Sequence, residues 1–418
     1  RQNAALPAPR PTMEVVYQAS MEVRSSVVYA SFIVMLVFVP LLTLSGVAGR
    51  MFEPLGEAYI LSIFASLLVA LTTCAACAPV PEIPTAARLQ IADVLGGPRA
   101  AGLERALEPR DFSFPADHGP HPDYRIEWWY VTANLTGPDG TDYGGQWTLF
   151  RSALAPGEGV GWTSPQVWFA HAAVTTPRAH HVAERFARGG IGQAGVTAQP
   201  FEAWIDDWQM AGETLDNVTL TASGPEFRYD LRLEAKGPLV FHGDRGFSVK
   251  SAEGQASYYY SQPFYRVEGT LELPDGPVAV SGEAWLDREY SSQPLSSTQS
   301  GWDWFSLSFD AGDKLMGFRL RQTDGSAYTS ATWIGADGRT QSYGNGALTA
   351  EPLQGAEVAG REVPVVWRVT LPERDIDVTV EAVNPGAWMA VSIPYWEGPV
   401  RVSGSHAGRG YLEMTGYE

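Results

Sequence analysis

From Asp117 to Tyr130 the chain reads Asp-His-Gly-Pro-His-Pro-Asp-Tyr-Arg-Ile-Glu-Trp-Trp-Tyr. Two histidines and two aspartates occupy a Pro/Gly-rich turn, and an aromatic run enclosing one carboxylate, Glu127, follows at once. Trp128 and Tyr130 combine large apolar area with one polar tip each, which suits the wall of an oily pocket with a polar anchor. A second cluster repeats this make-up: Trp285-Leu286-Asp287-Arg288-Glu289-Tyr290, then Gly301-Trp302-Asp303-Trp304-Phe305. A carboxylic acid set among indoles loses solvation for its charged form, so it is held toward the neutral state that can donate a proton.

Asp287 lies two residues after Trp285, hence on the same face of a strand, and is the first candidate acid. Trp128, Tyr130, Trp285, Trp302 and Trp304, with Arg288, are candidate substrate contacts. Glu127, a candidate catalytic support to Asp287, shares a strand face with Trp129; it either enters a pocket with a raised pKa or pairs with an arginine such as Arg125 or Arg151. Asp287, Arg288 and Glu289 read equally as a structural ion-pair network at a barrel mouth. His171, within Trp168-Phe169-Ala170-His171-Ala172, is either a catalytic support in a pocket or a satisfied core histidine. His118 and His121 with Asp117 and Asp123 offer zinc or iron donors, but no third ligand stands at a diagnostic spacing, so no metal is expected. Nor does the chain contain a Gly-x-Ser-x-Gly elbow, a Walker loop, a dinucleotide fingerprint after a strand or His-Glu-x-x-His. These absences argue against a conventional serine hydrolase and against nucleotide cofactors, and no cofactor is expected.

The elements that must position these groups are strands. Phe227-Arg228-Tyr229-Asp230-Leu231-Arg232-Leu233 alternates apolar and polar without a miss, and similar runs cover Trp147–Arg151, Val167–Val174, Val278–Trp285, Leu315–Arg321, Val365–Leu371 and Ile376–Val383. Asp-Gly pairs at Asp139-Gly140, Asp275-Gly276, Asp324-Gly325 and Asp337-Gly338 supply hairpin turns. Only Arg99–Leu107 has the look of a short helix. With 43 glycines and 30 prolines, the body is expected to be all-β, in two antiparallel barrels. The division is placed at the Tyr-rich interval Gly246–Gln262, giving barrels at 110–255 and 256–418 that each curl around an apolar interior. The net charge of -18 argues against a nucleic-acid partner.

Residues 1–77 read differently. Val27–Leu44 and Ala58–Ala76 are uncharged runs near the length a bilayer requires. Glu22-Val23-Arg24-Ser25-Ser26-Val27-Val28-Tyr29-Ala30, Phe38 through Arg50 and Tyr59 through Leu71 resemble heavy-metal efflux pumps of the resistance-nodulation-division type. The match spans two helices without the intramembrane charges of a proton-driven pump, so metal export is not expected. Leu67–Pro79 also reads as a signal h-region running into a lipidation cysteine, Cys77, with a Pro/Ala-rich tether over 78–109. Export leaves the body tethered to a membrane on the periplasmic side of the cell envelope. Insertion of both spans returns it to the cytoplasm.

Phe112-Ser113-Phe114-Pro115 through Tyr130, Phe169-Ala170-His171-Ala172, Trp285 through Gln293, Gly301 through Phe305, Tyr395-Trp396-Glu397-Gly398-Pro399-Val400 and Gly410-Tyr411-Leu412-Glu413 resemble the AttH-like family. That family includes predicted secreted hydrolases and the carotenoid 1,2-hydratases, or hydroxyneurosporene synthases. The resemblance runs from about Leu103 to the C-terminus. It implies two lipocalin-like barrels in tandem and a hydrophobic isoprenoid or lipid as ligand. Its hydratases add water across an isolated double bond of an acyclic isoprenoid. Such chemistry needs a protonated acid in an apolar pocket, aromatic faces for the carbocation and a held water. The resemblance also implies a histidine on the strand before the acid. Here that region reads Ser257-Tyr258-Tyr259-Tyr260-Ser261, with no histidine between His242 and His406, which points to the exported branch of the family. A non-enzymatic lipid carrier is the rival reading.

Overall fold

The computed structural model describes residues 61–62, 102–293 and 298–417; the described residues from 102 onward belong to one compact unit. The expected apolar segment (61–62 apart), Cys77 and the tether before residue 102 lie outside the described residues. Among the described residues no helix is long and apolar enough to cross a membrane. Residues 102–107 are not helical. Instead Ala106 packs with Tyr124, Tyr258 and Tyr290, and Glu104 N donates to Asp123 O at 2.8 Å. The last residues assigned to the tether are therefore part of the folded body.

That body is all-β, with one sheet curled into a nearly closed barrel and the other into a half-barrel. The first sheet contains β1 (Ile126–Thr136), β2 (Asp142–Ala153), β3 (Gln166–Thr175), β4 (His180–Arg188), β5 (Ala194–Ala198), β6 (Phe201–Ile205), β7 (Trp208–Thr214), β8 (Asn217–Gly224), β9 (Phe227–Ala235), β10 (Val240–Phe241), β11 (Phe247–Val249), β12 (Ala256–Leu273) and β13 (Gly276–Ser291). The second contains β14 (Gln299–Phe309), β15 (Lys314–Gln322), β16 (Ala327–Ile334), β17 (Thr340–Tyr343), β18 (Thr349–Val358), β19 (Arg361–Leu371), β20 (Ile376–Ala382), β21 (Trp388–Met389), β22 (Tyr395–Gly404) and β23 (Gly408–Met414). The main path of the first sheet is β4-β3-β2-β1-β13-β12-β9-β8-β7-β6-β5, and that of the second is β17-β16-β15-β14-β23-β22-β20-β19-β18. All four Asp-Gly pairs turn with the glycine at positive φ, between 80° and 115°. β9 buries every second residue, as its alternation requires.

The division expected at 246–262 falls inside the first sheet. β12 and β13, of 18 and 16 residues, complete it, because β13 pairs with β1 and β12 with β9. The Tyr-rich interval is a strand with aromatics on both faces rather than a linker. The chain changes sheets between Ser291 and Gln299.

Three apolar clusters follow from the alternation. In β1, Trp129, Val131, Ala133 and Leu135 point into the first barrel and meet Trp147, Leu149 and Leu286. Phe305, Trp367, Trp396, Leu412 and Met414 fill the second. A third cluster lies between the sheets, where Tyr130, Tyr259 and Trp285 meet Trp304, Phe318, Leu320 and Tyr411. Burial at roughly 1.5–3 kcal/mol per large side chain makes this cluster enough to hold the two sheets together. The expected location of the pocket is thereby corrected. The barrel interiors hold their own side chains, and the space lies between the barrels.

Candidate functional site

The outward face of the first sheet carries two rows of residues in strict cross-strand register. One row reads Glu184, His171, Thr148, Tyr130, Asp287, Ser261 across β4, β3, β2, β1, β13 and β12. The next reads Phe186, Phe169, Phe150, Trp128, Glu289, Tyr259 across the same strands. Period two alone puts these side chains on one face, and register alone makes them neighbours. Trp302 and Trp304 of β14, Phe318 of β15, Tyr395 of β22 and Glu413 of β23 face them from the second sheet. The two walls border a cleft of about 1000 Å³, a volume that includes space open to solvent.

Asp287 lines this cleft and is 2% exposed. Its Oδ1 accepts from Ser261 Oγ and from Trp285 Nε1, the latter at 2.8 Å. Among the described residues its Oδ2 has no hydrogen-bond partner, although the Tyr259 hydroxyl faces the carboxyl. Burial pushes its pKa up to about 7, against the opposing hydrogen bonds, and the charge on Glu289 adds to the rise. A carboxyl with that pKa is substantially protonated at neutral pH, and Oδ2 is the oxygen left to carry the proton.

Behind Asp287 stands a residue that sequence reasoning passed over. His242 Nε2 lies 2.6 Å from Ser261 Oγ, and its Nδ1 lies 3.0 Å from Thr332 Oγ1 of the second sheet. Because Ser261 donates to Asp287, His242 must donate from Nε2 and accept at Nδ1 from Thr332. Burial, with Lys250 adding, drives its pKa well below the ordinary value, so this neutral tautomer persists. The strand before the acid, β12, carries no histidine; His242 comes to Ser261 from the segment after β10. No local pattern marks it: His242 follows Val240-Phe241 like any strand end.

The run Asp287-Arg288-Glu289 divides by face. Glu289 accepts from Ser257 and from Lys250 Nζ, the latter at 2.9 Å. Arg288 points to the opposite side of the sheet, into the first barrel, so it does not contact the cleft. Asp287 makes no salt bridge among the described residues. The ion-pair reading therefore holds for two members and fails for the candidate acid.

Glu397 and Glu413, in register on β22 and β23, are carboxyls of the second wall, Glu397 fully buried and Glu413 partly buried where it lines the cleft. Tyr130 donates to Glu397 Oε1, and Trp302 Nε1 donates to Glu413 Oε1 at 3.0 Å. Burial raises both pKa values; the charge of Glu413 raises that of Glu397 further, and the charges of Asp287 and Glu289 raise that of Glu413, so the pair retains a proton at neutral pH. Neither was singled out from sequence, though Glu413 stands two residues from Tyr411 on an aromatic strand face, the signal that marked Asp287. His171 also lines the cleft, bonded to Tyr395 Oη at 3.0 Å and Glu184 at 3.3 Å, and burial lowers its pKa. It stands three strands from Asp287, roughly 14 Å at about 4.8 Å per strand, so it does not touch the candidate acid.

Glu127 lies on the inner face, away from the cleft. Its oxygens accept from Arg151 Nε (2.9 Å), Arg288 Nη2 (2.7 Å), His121 N (2.9 Å) and His121 Nδ1 (2.6 Å). Burial opposes its charge, yet Arg288, His121 and Arg151 together hold the carboxyl far below the usual range. It is an ionised structural group paired with Arg151, not Arg125. Arg288 also stacks over Trp129, 3.9 Å from guanidinium carbon to ring centre. His121 stacks on Tyr290 at 3.8 Å and bridges Glu127 to Asp117. His118 bonds Tyr260 at 2.8 Å, and burial lowers its pKa to about 4. Among the described residues no group of three or more His, Cys, Asp or Glu is placed to hold a metal ion. Of the aromatic candidates, Trp128, Tyr130, Trp302 and Trp304 line the cleft, while Trp285 sits beneath it and orients Asp287.

Residues 3–82 match the AcrB/AcrD/AcrF family. A stretch of 60 residues is 40% identical to Protein HelA of Legionella pneumophila, and it covers 14% of this chain and 6% of that protein. Kievitone hydratase from Nectria haematococca shares the fold, with a TM-score of 0.57 at 15% identity, over 77% of this chain and 98% of that one. A crystal structure assigned to AttH from Nitrosomonas europaea is 32% identical, with a TM-score of 0.68, over 76% of this chain and all of that one. The AttH-like family matches residues 105–417, which include both walls of the cleft and Asp287, Ser261, Trp285 and His242. With both sheets and the cleft between them inside that span, the chain belongs to the AttH-like family.

Proposed function

We propose that this protein binds an apolar isoprenoid- or lipid-like molecule between its barrels and adds water to it, or hydrolyses it, with Asp287 as the acid. The observation that carries the reading is a buried carboxyl, partly protonated at neutral pH, with one oxygen unpartnered among the described residues, at an aromatic cleft. Protonation of an alkene carbon, or of a leaving oxygen, takes the proton from Oδ2. The developing cation then lies against the faces of Trp128, Tyr130 and Trp304. Ser261 and Trp285 stabilise the carboxylate that forms. Water completes the addition, and its proton returns to Asp287. The fold shared with a hydratase supports this reading only at the level of architecture.

The rival is a lipid carrier without catalysis, favoured by the part of the cleft that opens to solvent. Residues 100–418 are purified with their co-purifying lipids, incubated in isotopically labelled water with an isoprenoid extract, and the products are weighed by mass spectrometry. An enzyme gives products enlarged by labelled water, and Asp287→Asn abolishes them while bound lipid stays. Unchanged lipid in both proteins establishes the carrier. Labelled product from the Asn variant sinks Asp287 as the acid. Attachment to the cell envelope belongs to the same proposal, since it places the cleft beside the phase that dissolves such ligands. Protease attack on the body in intact spheroplasts is expected; protection would overturn that location.

A further inference from the structure

Four aromatic side chains in one cross-strand row run from the cleft to a free edge of the first sheet. Trp128 and Phe150 rings lie 6.5 Å apart, Phe150 and Phe169 stack at 4.5 Å, and Phe169 and Phe186 at 6.2 Å. Trp128, Phe150 and Phe169 line the cleft. Phe186 lies on β4, the terminal strand of the sheet, and is 54% exposed. None of the four belongs to the core of either barrel. Cross-strand aromatic pairs do stabilise sheets, but a large apolar ring left half in solvent on an edge strand is a poor use of that effect. Beside the aromatic row runs the polar one, so a molecule lying along Phe186, Phe169, Phe150 and Trp128 has its inner end at Tyr130 and Asp287. The distance from Phe186 to Asp287 is roughly 20 Å, from four interstrand steps of about 4.8 Å and an offset of two residues.

We infer that this row is the binding rail for an extended, unsaturated apolar chain, which enters over Phe186 at the β4 edge and delivers its inner end to Asp287. The inference rests on the reading of the cleft as an apolar-ligand site, and it adds the ligand's shape and route of entry. A compact ligand would need only Trp128 and the second-sheet tryptophans. A chain that spans the row contacts all four rings.

The probes are geraniol, farnesol and geranylgeraniol, titrated against the purified chain by quenching of tryptophan fluorescence. Affinity is expected to rise along the series. Phe186→Ser is expected to weaken geranylgeraniol on the order of five-fold and to leave geraniol unchanged, because only the longer chain reaches the edge. Phe186→Leu, which keeps apolar area, is expected to restore part of the loss. Unfolding midpoints of the variants serve as the control for folding, since Phe186 supports no core. Binding of all three alcohols with equal affinity, or an equal loss for short and long probes in Phe186→Ser, overturns the rail and leaves the apolar cleft standing. No quenching by any of the three overturns the cleft reading itself, and the rail with it.

Discussion

Replacing Glu127 with glutamine separates a structural carboxylate from a catalytic one. The wild-type side chain accepts four hydrogen bonds, two of them from guanidinium groups that are 1% and 0% exposed at the side chain. Glutamine keeps one acceptor oxygen and turns an NH2 group toward donors that lose their partner. Two buried guanidiniums are then left without their counter-charge. Breaking a buried pair in this way costs about 3–5 kcal/mol, against near zero for an exposed pair. At roughly 2.1 cal/mol/K per residue over the two-sheet body, a loss of that size lowers the unfolding midpoint by about 6 °C. The pH sign follows from the depressed pKa. The carboxylate's contribution is present above its unfolded pKa near 4.5 and is lost as pH falls toward the folded value, so wild type and variant converge in strong acid. Urea denaturation at pH 7 and at pH 3, followed by tryptophan fluorescence, measures both differences. A loss below about 1 kcal/mol at pH 7 refutes the structural assignment. So does a variant of undiminished stability that no longer turns over ligand.

Asp287→Asn should have the opposite effect on stability. Folded-state pKa about 7 lies above the ordinary 3.8, so the ionised form is penalised by folding; the variant gains stability at pH 8, and the gain vanishes below pH 4. Thermal melts at the two pH values check this, and an equal midpoint shift at both would contradict it. Trp285→Phe removes a donor that favours the carboxylate, so the Asp287 pKa should rise further; a carbon-13 carboxyl titration moving downward instead would be decisive against the assignment. Gly144 lies where the barrels touch, and a Cβ there would sit 2.6 Å from Pro399 Cδ and 2.6 Å from the Tyr411 hydroxyl. Gly144→Ala should therefore strain the interbarrel packing by about 1–3 kcal/mol. A midpoint equal to wild type in calorimetry would show that the sheets separate freely.

The linear sequence carried the class of fold because its signals are local. Alternation with period two, as in Phe227–Leu233, and Asp-Gly at four turns both act over a few residues, and the structure follows them. Local spacing likewise put Asp287 and Trp285 on one face, and Glu127 with Trp129 on another. Which face meets solvent, core or partner sheet is decided by pairing between distant strands. Glu127 and Asp287 both sit among tryptophans, yet β1 turns the first toward Arg151 and Arg288, while β13 turns the second toward the cleft. The division of the barrels failed for the same reason: β12 and β13 join β9 and β1, at sequence separations that no local pattern encodes. His242 reaches Ser261 through the pairing of β10 with β12, and Glu413 comes to face Asp287 only when the second sheet closes over the first. The chemistry of each residue is a property of the chain, but the environment that tunes it is assembled from strands far apart along it.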